Sequence, residues 1–129
     1  MSGYSVNIEA ATLANANFRT VLYTAPHSQL VVMTIVPGGE IGLEHHEGRD
    51  QFIRIEAGEG IAILDGERHR LTDGTAVVVP AGTEHNVINT SPTDELRLYT
   101  VYSPPEHAPG TIHRTKADAD AAELAERPR

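Results

Sequence analysis

Side chains that can bind a metal ion or move a proton are concentrated in two parts of this sequence. One part reads Glu44-His45-His46-Glu47, and in the other His85 follows a Pro-x-Gly turn. Side chains two positions apart on a β-strand point to the same face. Either Glu44 with His46 or His45 with Glu47 would therefore share a face. An imidazole beside a carboxylate can bind a divalent ion.

These residues belong to two ordered series of defined spacing. The series are Gly38-x5-Glu44-x-His46-x4-Gln51-x6-Gly58 and Gly74-x5-Pro80-x-Gly82-x2-His85-x3-Asn89. They resemble the two motifs of the cupin superfamily, which read Gly-x5-His-x-His-x3/4-Glu-x6-Gly and Gly-x5-Pro-x-Gly-x2-His-x3-Asn. The second series matches at every defined position. The first matches in spacing, with Glu44 in place of a His and Gln51 in place of the Glu.

The resemblance covers about residues 30–102 and implies an all-β fold, the cupin-type jelly-roll β-barrel or double-stranded β-helix, around one metal ion. It leaves two sets of metal ligands open. Anchored on Gly38, the ligands are Glu44, His46, Gln51 and His85. Anchored on Gly39, they are His45, Glu47, Gln51 and His85. A shift of one residue exchanges the two faces of a strand, so only one set can point inward.

We prefer the first set for a steric reason that follows from strand alternation. It places Gly42 on the ligand side and turns Ile41 and Leu43 to the opposite face. Two imidazoles and one carboxylate then form the ligand set of facial-triad metal sites, and Gln51 adds a weak oxygen ligand or orients a bound water. These nitrogen and oxygen donors suit Fe(II), Mn(II), Ni(II), Co(II) or Zn(II). A barrel that is apolar or filled with water, without an ion, is the alternative.

The resemblance favours a metal-dependent enzyme of isomerase, lyase or dioxygenase type that acts on a small polar organic molecule. A protein that binds or senses a small molecule without turnover is the alternative. If Glu44 is not a ligand, it could act as a base, because burial raises a carboxyl pKa. His107 could act as an acid or base if the segment around it covers the barrel mouth. Tyr99 and Tyr102 lie on opposite faces of one strand, and one of them could offer a phenol to the cavity.

The elements that must position these residues read as short strands rich in β-branched residues. They lie at residues 18–23, 29–36, 51–56, 60–64, 75–79, 85–89 and 96–102. Asp65-Gly66 predicts a type I′ hairpin turn, and Asn89 is predicted to cap a turn or strand. Residues 103–110 contain three prolines and must run along the surface or across the barrel mouth. A short C-terminal helix is expected within residues 115–127, with Ala117, Ala121, Leu124 and Ala125 on its apolar face.

Length and composition predict one domain, residues 1–129, with its core at about residues 29–102. There is no Cys, which excludes thiolate sites and disulfides. The net charge is −8 and the arginines are scattered, so we expect no nucleic-acid partner. We see no signal peptide and no apolar run long enough for a membrane, so we expect a cytoplasmic protein without a membrane partner. The resemblance also implies a homodimer, with residues 6–23 long enough to exchange as strands.

Overall fold

The computed structural model describes residues 2–126, most of them in antiparallel β-strands with one helix near each end. The elements are α1 (Ile8–Ala14), β1 (Arg19–Thr24), β2 (Gln29–Ile35), β3 (Asp50–Ala57), β4 (Gly60–Leu64), β5 (Glu67–Leu71), β6 (Ala76–Val79), β7 (His85–Asn89), β8 (Leu96–Ser103), β9 (Ile112–His113) and α2 (Lys116–Glu126). No helix among these residues is long and apolar enough to cross a membrane.

The strands form two sheets. The larger has the order β6-β3-β8-β2-β1-β9 and the smaller has the order β5-β4-β7. The segment before β3 extends the smaller sheet, because Glu40 bridges Ile88 and Glu44 bridges His85. Inward-facing apolar side chains from both sheets form one core. The all-β jelly-roll arrangement predicted from the sequence is confirmed.

The side chains of β3 alternate between the core and the outer face. Gln51, Ile53 and Ile55 are buried, whereas the residues between them are half-buried on the outer face. The Asp65-Gly66 turn is also confirmed. Asp65 has φ 47° and Gly66 has φ 84°, the positive values that a type I′ turn requires, and Leu64 pairs with Glu67 across it.

The N-terminal segment differs from the prediction. Residues 6–23 were expected to be able to exchange as strands, but residues 8–14 form α1. Asn7 caps this helix by accepting a 2.9 Å hydrogen bond from the Ala10 N–H. The helix packs against β2, β3 and β8 of its own chain, and β1 pairs with β2 and β9. A helix of seven residues is marginal by itself, so these tertiary contacts supply most of its stability.

The C-terminal segments cover one end of the barrel. The Gln29 amide holds the proline-rich segment in place by donating to the His107 carbonyl at 2.6 Å and accepting from the His107 N–H at 2.9 Å. The short C-terminal helix is confirmed as α2, and Arg127 lies outside the described residues. Its predicted apolar face is wrong, because Leu124 is 65% exposed and the buried residue is Ala119. One side of α2 lines a cavity. Ala119, on that side, is buried although it is small, whereas the larger Leu124 points to solvent.

Asn89 is a structural residue, and its replacement gives our first prediction. Its buried amide donates to the carbonyls of Ile35, Val36 and Asp94 at 3.0, 3.1 and 2.8 Å, and its Oδ1 accepts from the Ser91 N–H. Asn89→Leu leaves these groups unpaired, so we expect a loss of about 2–4 kcal/mol in unfolding free energy, measured with urea. Exposed Thr90→Ala is the control, with a change below about 0.5 kcal/mol. Equal effects would contradict the assignment.

Candidate metal centre

His85 is oriented by the turn that precedes β7. Its side chain is only 3% exposed, and its Nδ1 lies 2.9 Å from the Thr83 carbonyl oxygen. Because a carbonyl can only accept, Nδ1 carries the proton and Nε2 keeps its lone pair. The same turn also fixes the backbone of His46, because the Gly82 N–H donates to the His46 carbonyl at 3.0 Å. The His85 Nε2 is buried and has no hydrogen-bond partner among the described residues.

A β-bulge at Gly42 decides which side chains of the facing segment point inward. The pairing register with β7 shifts by one residue between the bridges Glu40–Ile88 and Glu44–His85. Gly42 has φ 108°, and its N–H donates to the Asn86 Oδ1 at 2.9 Å instead of to the strand. Such a φ strains any residue with a Cβ.

The bulge corrects one step of the sequence reasoning. Ile41 and Leu43 were expected to share the face away from the ligands, but Ile41 is buried in the core while Leu43 is exposed. Alternation breaks at Gly42, so Ile41 and Glu44 both turn inward although they are three positions apart. The preferred set of inward residues agrees with the structure, whereas the steric reason for it was wrong.

The structure brings Glu44, His46 and His85 together. One ligand atom from each lies within 4.8 Å of the others. Glu44 Oε2 and His46 Nε2 are 3.7 Å apart, and the two imidazole centroids are 5.3 Å apart. The alternative set is not brought together, because His45 and Glu47 are 49% and 81% exposed and contact each other at 3.1 Å.

Gln51 faces the same interior and presents an oxygen. It pairs with Tyr102 across β3 and β8, and the Tyr102 ring contacts the His46 ring edge-on at 6.0 Å. Its amide nitrogen donates to the Thr100 Oγ1 at 3.0 Å. Its Oε1 is buried and, like His46 Nε2 and His85 Nε2, has no hydrogen-bond partner among the described residues. Three unpaired lone-pair atoms beside a carboxylate suit a divalent ion, so the residues fit one.

Burial sets the protonation of the group. It raises the pKa of Glu44 from 4.5 to about 7, against the opposing effect of the Arg19 charge. It lowers the pKa of His46 from 6.5 to about 4, with His85 and Arg49 adding to the effect. His46 is therefore a neutral imidazole at neutral pH, with a lone pair available. A buried carboxylate is costly without a positive partner, and a divalent ion would be such a partner.

Two charged side chains, Glu106 and Arg49, lie on the Nδ1 side of His46. Glu106 Oε2 lies 3.4 Å from His46 Nδ1 and 3.1 Å from Arg49 Nε. A carboxylate at Nδ1 favours the proton on that nitrogen and leaves Nε2 for an ion. Sequence reasoning missed Glu106. Its only signal was its place beside His107 in the proline-rich segment.

A cavity of about 470 Å³ leads from the surface to this group. Its lining includes Glu44 and His46, the proline-rich segment and one side of α2. It is large enough for a small organic molecule. The buried Tyr102 ring lies behind His46, and burial raises the pKa of Tyr102 far above its usual range, so the phenol stays protonated.

His107 lines the cavity, and its ring contacts the Tyr102 ring edge-on at 5.2 Å. Burial lowers the pKa of His107 from 6.5 to about 3, so the ring is neutral at neutral pH. A neutral imidazole can accept a proton from a substrate as a base, but it has no extra proton to give as an acid. Its role as an acid or base stays a prediction.

Comparison with known proteins places this architecture in a family. A family model described as Cupin domain matches residues 31–102. The uncharacterized protein YrkC of Bacillus subtilis (strain 168) is 50% identical over 126 residues, covering 93% of this chain and 67% of that protein. The uncharacterized protein L612 of Acanthamoeba polyphaga mimivirus is 48% identical over 112 residues, covering 84% and 70%. The crystal structure of BH2720 from Bacillus halodurans superposes with a TM-score of 0.89 at 43% identity, covering 92% of this chain and 93% of that one. The chain belongs to the cupin family.

Proposed function

We propose that this cupin holds one divalent metal ion and is an enzyme that acts on a small polar organic molecule. The observation that supports this most is the convergence of Glu44, His46 and His85 beside a cavity, with unpaired ligand nitrogens. Gln51 would add an oxygen ligand. The ion would be Fe(II), Mn(II), Ni(II), Co(II) or Zn(II), and when bound it would polarise a substrate oxygen.

The surrounding side chains support chemistry on a bound molecule. Glu44, with a pKa of about 7, can hold or release a proton at neutral pH if its carboxylate is not fully engaged by the ion. Glu106 Oε2 lies 3.4 Å from His46 Nδ1, the His107 ring lines the cavity, and the Tyr102 ring lies behind His46. Such groups suit proton transfer, which supports isomerase or lyase reactions. Dioxygenation, the third type that we propose, would depend on an open position at a bound Fe(II) ion.

Metal analysis of the purified protein tests this proposal. We expect about one divalent ion per chain, and we expect Glu44→Gln to weaken its affinity at least about tenfold, because the amide keeps the shape and loses the charge. Glu47→Gln removes the same charge from the exposed side of the segment and should bind as the wild type does. A wild-type protein that takes up no ion after reconstitution with each candidate metal would refute the metal site.

A small-molecule binding or sensing protein without turnover is a second candidate. The neutral amide of Gln51 favours it, because position 51 lacks the carboxylate of the family motif. The ligand charge stays at −1, since Glu44 replaces a His of that motif. A metal-loaded protein that binds a ligand and returns it unchanged after long incubation would support this candidate. The small-molecule partner, the homodimer, the cytoplasmic location and the absence of nucleic-acid and membrane partners stay predictions.

A further inference from the structure

Arg19 is a buried cation near the candidate metal centre. The proposed function gives it no role. It lies on the inward face of β1 with Val21, and its side chain is only 6% exposed. It lines the cavity together with Glu44, His46 and His107. Buried arginines are rare unless they are paired.

The contacts of Arg19 hold the guanidinium in place without neutralising it. Its Nη1 donates to the His113 Nδ1 at 3.1 Å, and its carbon Cζ lies 5.2 Å from the centroid of the Phe18 ring. Its Nε is buried and lacks a hydrogen-bond partner among the described residues. Arg49, Arg54, Arg97 and Lys116 each have a carboxylate within 4.0 Å, whereas Arg19 forms no such ion pair with the side chains that the structure describes in residues 2–125.

The positive charge of Arg19 affects the pKa values of several titratable groups in the cavity. Arg19 lines the same cavity as Glu44, His46, Glu106 and His107, and its charge lowers the pKa of all four groups. Glu106 is already paired with Arg49. Once an ion engages Glu44, the charge of Arg19 needs another negative partner.

We infer that Arg19 binds the carboxylate group of the small molecule that enters this cavity, and that the substrate is a carboxylic acid anion. The inference rests on the proposed function, because it names the substrate class of the same site. A guanidinium presents a planar fork of N–H donors that matches a carboxylate. Its unpaired Nε–H would be one of these donors.

A phosphate group is disfavoured by the other donors at the cavity. Phosphate sites in proteins usually combine several backbone N–H groups, often at a helix N-terminus. The N-terminus of α2 is near, but the Asp118 N–H donates to its own cap, the Thr115 Oγ1, at 3.1 Å. Lys116 is engaged by Asp120 at 2.9 Å. Arg19 is therefore a cavity cation without a carboxylate partner among the described side chains, and one guanidinium suits a carboxylate.

Sequence reasoning missed Arg19, although a signal was present. The first strand alternates, with Arg19 and Val21 on one face, so an arginine occupies an inward position. Only the tertiary structure shows that the inward face at this point opens on the metal-binding cluster.

Ligand titration of the metal-loaded protein by NMR tests the inference. The probes are lactate and malonate, each beside its uncharged amide, and inorganic phosphate. We expect the wild type to bind at least one of the two carboxylates at least tenfold more tightly than its amide. Arg19→Gln should lose this preference while it keeps the wild-type metal content. Arg54→Gln, which removes a guanidinium paired with Glu56 on the outer face of β3, should change neither property.

The outcomes separate this inference from the proposed function. Normal metal content with unchanged carboxylate binding in Arg19→Gln overturns the role of Arg19 and leaves the metal site intact. A wild type that prefers phosphate, or that does not distinguish the carboxylates from their amides, overturns the substrate class. The titrations are also repeated without the ion, which covers the case in which the protein binds no metal. An Arg19-dependent preference for the carboxylate over its amide is then still expected.

A second variant and a direct observation cover the case in which Arg19→Gln does not fold. Arg19→Lys keeps the charge and loses the planar fork, so we expect a weakened preference for the carboxylate over its amide. A crystal structure in malonate should show a carboxylate within hydrogen-bond distance of the Arg19 guanidinium. A malonate ion bound elsewhere in the cavity, with Arg19 uncontacted, would overturn the assignment.

Discussion

Replacing His85 with alanine will weaken the affinity for a divalent ion at least about 100-fold, or about 2.7 kcal/mol. The reason is the unpaired Nε2, which the Thr83 carbonyl holds ready by accepting the proton of Nδ1. Loss of partners that only orient a ligand typically costs 10–100-fold, so loss of the ligand itself should cost at least as much. The measurement is metal titration followed by elemental analysis of the desalted protein.

The matched control for this experiment is His45→Ala. His45 is next to His46 in sequence, but its side chain is half exposed and contacts Glu47 outside the cluster. We expect wild-type affinity in this variant. Loss of the ion in His45→Ala with retention in His85→Ala would mean that a different set of residues binds the metal. Circular dichroism of both variants confirms that each remains folded.

Gly60→Ala will destabilise the fold by about 3 kcal/mol or more, which corresponds to a fall of about 10 °C in Tm for a chain of this size. Gly60 is buried at the start of β4, between Leu71 of β5 and Asn89 of β7. A Cβ at this position would clash with the Ile88 carbonyl oxygen and press on the Leu96 side chain. The carbonyl belongs to the paired backbone and has no room to move.

Gly66→Ala provides the comparison for Gly60→Ala. Gly66 has φ 84°, but a Cβ there would have open space around it. We expect only the backbone cost of a left-handed residue, about 1 kcal/mol. Thermal and urea unfolding of both variants measure the difference. If the Gly60 variant were as stable as the Gly66 variant, the close approach of β4 and β7 in the structure would be wrong.

The strands of this protein were predictable because their pattern is local. Alternation on β3 and β8 and the glycine turns between strands can be seen in a few residues at a time, and both are confirmed. The helix α1 was missed because seven residues of mixed polarity show little helical periodicity, and its cap at Asn7 is a single side chain.

The candidate site was only partly predictable. Motif spacing directed attention to His85 and to the neighbourhood of Glu44, because strand period and turn chemistry constrain such positions. Spacing alone left two sets of inward residues. The bulge at Gly42 chose between them, and it depends on the Asn86 side chain of a strand more than forty positions away in sequence. Ordinary alternation cannot predict such a bulge.

The sequence by itself determined that this is an all-β cupin with imidazole and carboxylate groups on its motif strands, because strand period and turn residues act over short distances. Only the tertiary structure decided which of these side chains meet, and that Arg19 and Glu106 join them. Arg19 comes from β1 and Glu106 from the segment after β8, and distant parts of a chain become neighbours only when the sheets close around one core. The spacing of residues within a short segment therefore cannot predict that Arg19 and Glu106 contribute charge to this cavity.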